Sequence, residues 1–224
     1  MNYQEFEQNG LRYLIRYPEG FQQGREYPVI VFLHGAGTRG EDMQVLVNNP
    51  FFQDIRQHAK FPFVVVAPLC TEDTWFELWE RLMALVKYTA SLPYADSCRI
   101  YLMGASMGGY GTWQLAMSMP EYFAAIVPIC GGGMYWNTGR LVNIPVWAFH
   151  GALDPEISPE ESRKMVDGVN RNGGSAKLTV YPHREHNAWS DTYSNPEVFT
   201  WLLRHKNVHS SLPEDSYHDA QQYG

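Results

Sequence analysis

The sequence is poor in the features that mark membrane-spanning, disulfide-stapled and nucleic-acid-binding proteins. Its longest apolar runs, such as Val29-Ile30-Val31-Phe32-Leu33, are strand length and fall far short of the roughly 20 residues that cross a bilayer, so no transmembrane helix is expected. Residues 1–20 carry Glu5, Glu7, Arg12 and Arg16 and lack the continuous hydrophobic region of a signal peptide, which makes the cytoplasm the expected location. Cysteine is scarce: Cys70, Cys98 and Cys130 are odd in number and widely spaced, which fits neither a disulfide framework nor paired zinc ligands. They read as buried thiols in a reducing compartment. Basic residues are in deficit, 17 Lys+Arg against 24 Asp+Glu for a formal net charge of −7, so nothing is available to neutralise phosphates and nucleic acid is not an expected partner. Internal repeats and domain linkers are also missing.

What remains is the composition of a globular chain. Hydrophobic residues make up 45% and charged residues 18% of the 224, enough for a sizeable core, and the length suits one domain. We expect that domain over 1–206, with a polar, aperiodic tail over 207–224. Asn9-Gly10, flanked by alternating segments, accepts the positive φ angles of a tight hairpin turn, so the chain should open with an antiparallel hairpin. Continuous apolar runs follow at 29–33, 63–67, 100–103, 124–129, 146–149 and 178–181, the pattern of strands buried on both faces. Helices are expected between them, at 75–92 with a Thr74/Glu77 capping box, at 110–119, from Ser158 with a second box closed by Glu161, and at 196–205. Alternation of strands and helices predicts an α/β protein, a three-layer α/β/α sandwich whose mostly parallel sheet carries the N-terminal hairpin as its antiparallel edge.

The chemistry lies where strands end. The strand at 100–103 runs into Gly104-Ala105-Ser106-Met107-Gly108 and then a helix, the strand, G-x-S-x-G, helix context of a serine nucleophile on a strained turn. A serine hydroxyl needs a base, and the base an orienting carboxylate, both from loops at the same sheet edge. Asp154 follows the strand at 146–149, with Glu156 as its substitute. His186 follows the last strand and is the candidate base; His183 shares its loop, and residue type alone does not separate the two. His34 and His150 precede glycines at strand ends and read as holding loop backbone. The small residues of His34-Gly35-Ala36-Gly37 would let backbone amides approach a substrate, so the amides of Ala36 and Met107 are the expected oxyanion donors. Aromatic residues make up 14%, and Trp75, Trp79, Trp113, Trp136 and Trp189 are candidates for the cleft. Trp136, in a glycine-rich loop after a strand, is the expected substrate-binding residue.

The segments Leu33 to Gly37, Arg99 to Trp113 and His186-Asn187-Ala188-Trp189 together carry a resemblance: the core from Val29 to Leu203 resembles the α/β-hydrolase superfamily, and within it the phospholipase/carboxylesterase, polyhydroxybutyrate-depolymerase-like and feruloyl-esterase-like group. The resemblance implies Ser106 as nucleophile, Asp154 as orienting acid, His186 as base and the amide after His34-Gly35 as an oxyanion donor. The chain departs from the group after Asp154, where Ile157-Ser158 replaces a frequent valine-proline pair. α/β-Hydrolases that enclose long acyl chains often carry a cap after the sixth strand, and the segment between Ile129 and Val146 is too short for one. The reading is therefore a capless serine carboxylesterase acting on small-molecule, short-chain or aromatic-acyl esters through an acyl-enzyme, with no metal or cofactor and no membrane partner. A serine peptidase or thioesterase on the same fold, and a non-catalytic ligand-binding protein reusing it, are the alternatives.

Overall fold

The computed structural model describes residues 3–58 and 60–208. Of the expected tail, 209–224 lie outside the described residues, while Asn207 is docked: its backbone amide donates to the Cys98 carbonyl at 2.8 Å and its side chain to the Glu121 carbonyl. Eight strands form one sheet: β1 (Tyr3–Gln8), β2 (Leu11–Arg16), β3 (Tyr27–Leu33), β4 (Val64–Pro68), β5 (Ala95–Ala105), β6 (Ala125–Ile129), β7 (Val146–Gly151) and β8 (Ala176–Tyr181). Their order is β1-β2-β4-β3-β5-β6-β7-β8. The hairpin β1–β2 turns at Asn9 (φ 52°) and Gly10 (φ 71°) and joins β4 antiparallel, and every pair from β4 to β8 is parallel.

The helices are α1 (Met43–Val47), α2 (Pro50–Asp54), α3 (Trp79–Ser91), α4 (Met107–Ser118), α5 (Pro159–Arg171), α6 (Trp189–Ser194) and α7 (Pro196–Leu203). Side chains alternate across a strand, and β3 shows the result. Val29, Val31 and Leu33 join Trp75, Leu82, Trp113 and Met165 in one core, whereas Ile30 and Phe32 join Phe51, Tyr193 and Leu202 in another. The sheet thus separates two apolar layers, one under α3, α4 and α5 and the other under α1, α2, α6 and α7, which is the expected three-layer sandwich.

Several local expectations change. β8 is not buried on both faces: it has only β7 as a neighbour, and its residues are half-buried with Lys177 exposed. The helix expected at 75–92 opens as a 3-10 turn over Trp75–Leu78 before α3, with the Thr74 amide donating to the Glu77 carboxylate at 2.9 Å. Ser158 caps α5, but Glu161 closes no box; its carboxylate takes the Lys164 ammonium at 3.2 Å. α4 starts three residues early, at Met107, because its first turn is held by packing against the sheet: a Cβ on Gly108 would lie 1.9 Å from the Leu33 carbonyl oxygen, and one on Gly109 2.5 Å from that of Ile129.

Candidate active site

The parallel strands β3, β5, β6, β7 and β8 end on one edge, since Leu33 pairs with Gly104, Ala105 with Ile129, Ile129 with Phe149 and Gly151 with Tyr181. Every loop that carries a candidate residue leaves from that edge. Ser106 sits between β5 and α4 at φ 57° and ψ −120°, backbone space that ordinary side chains avoid at a cost of about 1–3 kcal/mol. Its own amide is tied to the Ile129 carbonyl at 2.9 Å, which fixes the turn and leaves the hydroxyl projecting.

His186, in the loop between β8 and α6, brings Nε2 to 2.9 Å from Ser106 Oγ and Nδ1 to 2.8 Å from Asp154 Oδ2. A carboxylate oxygen only accepts, so Nδ1 carries the hydrogen and Nε2 presents its lone pair to the serine hydroxyl. Asp154 Oδ1 takes the backbone amides of Glu156 at 2.9 Å and Ile157 at 3.0 Å. Burial opposes the charge on Asp154, but the Ile157 amide, His186 and the Glu156 amide outweigh it and hold the carboxyl below the usual carboxylate range. Ser106, His186 and Asp154 therefore form one hydrogen-bonded line in the geometry of an activated nucleophile.

Ala36 and Met107 each open a helical turn, so neither amide has an acceptor within its own helix, and Ala36 and Ser106 line the same cavity of about 330 Å3. Gly35, Thr38, Asn49, Glu156, Trp189 and Tyr193 complete most of its wall. His34 supports this loop from beneath: Nδ1 donates to the Gly35 carbonyl at 2.8 Å and Nε2 accepts the Cys70 amide at 3.0 Å, while Trp75 Nε1 donates to the His34 carbonyl at 3.0 Å. Burial lowers the His34 pKa to about 4 and keeps the ring neutral.

Two candidates stand apart. His183 is exposed and faces Asp191 at 3.4 Å instead of Ser106. Trp136 is 70% exposed and does not line the cavity at Ser106. Its segment, Tyr135–Leu141, is a 3-10 helix packed on α5 with Thr138 and Leu141 buried, the glycines before it pass close against α4 and α5, and the tryptophan faces outward. Trp189 takes the place expected for Trp136, lining the cavity edge-on to the His186 ring at 5.3 Å. Trp75 and Trp113 are core residues, and Trp79 borders a separate cleft of about 580 Å3 with Phe76, Tyr110 and Met134. Glu156 does not orient the base from behind as Asp154 does; its exposed carboxylate lies 3.6 Å from His186 Nε2 on the cavity side. Asn49 and Tyr193 were not anticipated; the Asn49-Pro50 start signal of α2 is the sequence feature that points to the first.

Cys130, Asp154 and His186 hold donor atoms within 4.8 Å of one another, the spacing of a metal site. The set suits a cation poorly, because both His186 nitrogens and both Asp154 oxygens are engaged and burial pushes the Cys130 thiol pKa up, keeping it protonated. Among the described residues no helix is long and apolar enough to cross a membrane.

The Dienelactone hydrolase family matches residues 52–202. A relative from Aspergillus terreus named as a feruloyl esterase C is 25% identical over 176 residues, covering 77% of this chain and 65% of its own. The dipeptidyl-peptidase 5 of Porphyromonas gingivalis is 21% identical over 75% of this chain and 32% of its own length. The solved structure of a thermostable esterase superposes with a TM-score of 0.78 at 33% identity, over 91% of this chain and 62% of that one. The chain thus spans less than two thirds of the length of each of these proteins.

Proposed function

This chain belongs to the dienelactone hydrolase family of α/β-hydrolases, and from that premise we propose that it is a serine carboxylesterase cleaving short-chain or aromatic-acyl esters through an acyl-enzyme. The observation that carries the reading is the line Ser106 Oγ, His186 Nε2, His186 Nδ1, Asp154 Oδ2, with separations of 2.9 and 2.8 Å, beside the amides of Ala36 and Met107. In this mechanism Ser106 Oγ attacks the ester carbonyl as its proton passes to His186 Nε2, and Asp154 stabilises the imidazolium. The Ala36 and Met107 amides stabilise the oxyanion, which collapses as His186 returns the proton to the leaving alcohol. Water, deprotonated by the same imidazole, then attacks the acyl-serine and releases the acid. The acyl preference follows from the modest cavity walled by Trp189 and Tyr193, and from the relative named for feruloyl esters. Residence in a reducing compartment belongs to the same proposal and is supported by the buried thiols of Cys70 and Cys130.

Peptide hydrolysis is the second reading, favoured by the likeness to a dipeptidyl-peptidase. The separating experiment is kcat/KM on matched acetyl and feruloyl esters, thioesters and dipeptide anilides. We expect the esters to lead by at least about tenfold, the discrimination one well-placed contact supplies. Faster turnover of dipeptide anilides would replace the esterase with a peptidase.

A further inference from the structure

Besides His34, which supports the loop after β3, a second buried histidine is left over once the base has been assigned. His150 is the penultimate residue of β7, has no exposed surface and lies four residues before Asp154. Its Nε2 lies 2.9 Å from the Ile157 carbonyl and 3.2 Å from Asp154 Oδ2, and its Nδ1 lies 2.8 Å from Ser162 Oγ on α5. The Ser162 hydroxyl stands between that ring nitrogen and the Gly131 carbonyl, also 2.8 Å away. A carbonyl only accepts, so Nε2 carries a hydrogen for the Ile157 oxygen, and that N–H lies beside the carboxylate oxygen already serving His186.

We propose that His150 is a positioning residue for the esterase reaction: its Nε2 N–H holds the Ile157 carbonyl and lies 3.2 Å from Asp154 Oδ2, which fixes the carboxylate's orientation through the loop and sets an N–H dipole beside the negative charge it presents to His186. The surroundings of the carboxylate support this: Asp154 receives two amides on Oδ1 and the His186 N–H on Oδ2, and His150 Nε2, 3.2 Å from that same Oδ2, closes its remaining side. The Ile157 residue is gripped on both sides, its N–H by Asp154 and its carbonyl by His150, so the loop after β7 closes on the side chain it carries. With the ring neutral and its hydrogen on Nε2, Nδ1 accepts the single Ser162 hydroxyl hydrogen, which anchors the ring to α5, so the aim of Asp154 depends on two elements in place of one loop. Burial lowers the His150 pKa against the opposing pull of the Ile157 carbonyl and Asp154, which agrees with a neutral donor.

The inference rests on the serine-hydrolase reading, and its test needs no knowledge of the natural ester: the rate at which a fluorophosphonate labels Ser106, measured against pH, in the wild type and in His150→Met, His150→Gln and Ser162→Ala. The groups facing His186 are Ser106, Asp154, Glu156 at 3.6 Å and the protonated Cys130 thiol, and no variant alters them. Met fills the ring's volume without a donor. Without the N–H dipole beside Oδ2, Asp154 holds the protonated base more strongly, so the acid limb of the profile should move to higher pH by about half a unit, less than a full hydrogen bond to a charged group would give. The plateau rate should fall roughly tenfold from looser aim. Gln restores an N–H donor and should recover most of both effects, and Ser162→Ala should move the limb the same way by less. A His150→Met profile superimposable on wild type, or His150→Gln no better than Met, would reduce His150 to a packing residue. If His150→Met does not fold, Ser162→Ala decides, and an unmoved limb there overturns the proposal. Wild-type protein that is not labelled at Ser106 would instead remove the esterase reading beneath it.

Discussion

Ser106 occupies a conformation that stores strain, and the hydroxyl this turn projects lies 2.9 Å from His186 Nε2, whose ring is in turn held by Asp154. Two variants separate strain from chemistry, because Ser106→Ala and Ser106→Gly both lack the nucleophile but only glycine relaxes at φ 57°. Both should lose activity by on the order of 10⁶. The glycine variant should be the more stable by about 1 kcal/mol in chemical denaturation, and equal stability would show that the turn is unstrained. His34 makes a second prediction at this scale. Its folded pKa of about 4 lies below its ordinary 6.5, so between those values the unfolded chain binds the extra proton and stability rises with pH. Stability should be fully present above about pH 6.5 and decline by roughly 3 kcal/mol toward pH 4 on this account, read as unfolding midpoints across that window. A flat profile would mean that His34 is solvated. Ser106, Asp154 and His186 were legible because residue type, chain order and strand-end position all point to them. The His183 and His186 ambiguity, and the choice of Trp136 over Trp189, needed coordinates: side-chain direction within a loop has no sequence period.

Among the elements, the strands were legible because burial on two faces forces continuous apolar runs, and the hairpin because Asn9-Gly10 suits its turn. The start of α4 was hidden, since Gly108 and Gly109 are poor helix formers and the sheet contact overrides that propensity. The same contact gives a sharp test. Gly108→Ala would set a methyl 1.9 Å from the Leu33 carbonyl oxygen, backbone against backbone, whereas a Cβ on Gly37 meets nothing within 4 Å. Denaturant titration should show Gly108→Ala destabilised by about 3 kcal/mol or more and Gly37→Ala within about 0.5 kcal/mol of wild type. Comparable stabilities would mean that α4 does not need this approach to β3. α2 was missed because five residues leave no room for periodicity, so only the Asn49-Pro50 cap signals it.

At the scale of the molecule, the segment from β6 to β7 lies on α5 as a 3-10 helix, and among the described residues it builds no cap over Ser106. Each added acyl CH₂ should therefore gain only part of the ~0.8 kcal/mol of full burial, and kcat/KM across p-nitrophenyl esters from acetate to palmitate should stop rising after a few carbons. A steady climb to palmitate would require a lid. The central claim, however, is that Ser106 is a nucleophile activated by His186 and Asp154, and the most direct measurement is the site of fluorophosphonate attachment. Mass spectrometry of the labelled wild type should find one adduct, on the peptide containing Ser106, with labelling abolished in Ser106→Ala and slowed by on the order of 10⁴ in Asp154→Asn, the effect of a wrongly held imidazole tautomer. An adduct that persists in Ser106→Ala, or a wild-type protein left unlabelled, would contradict the account.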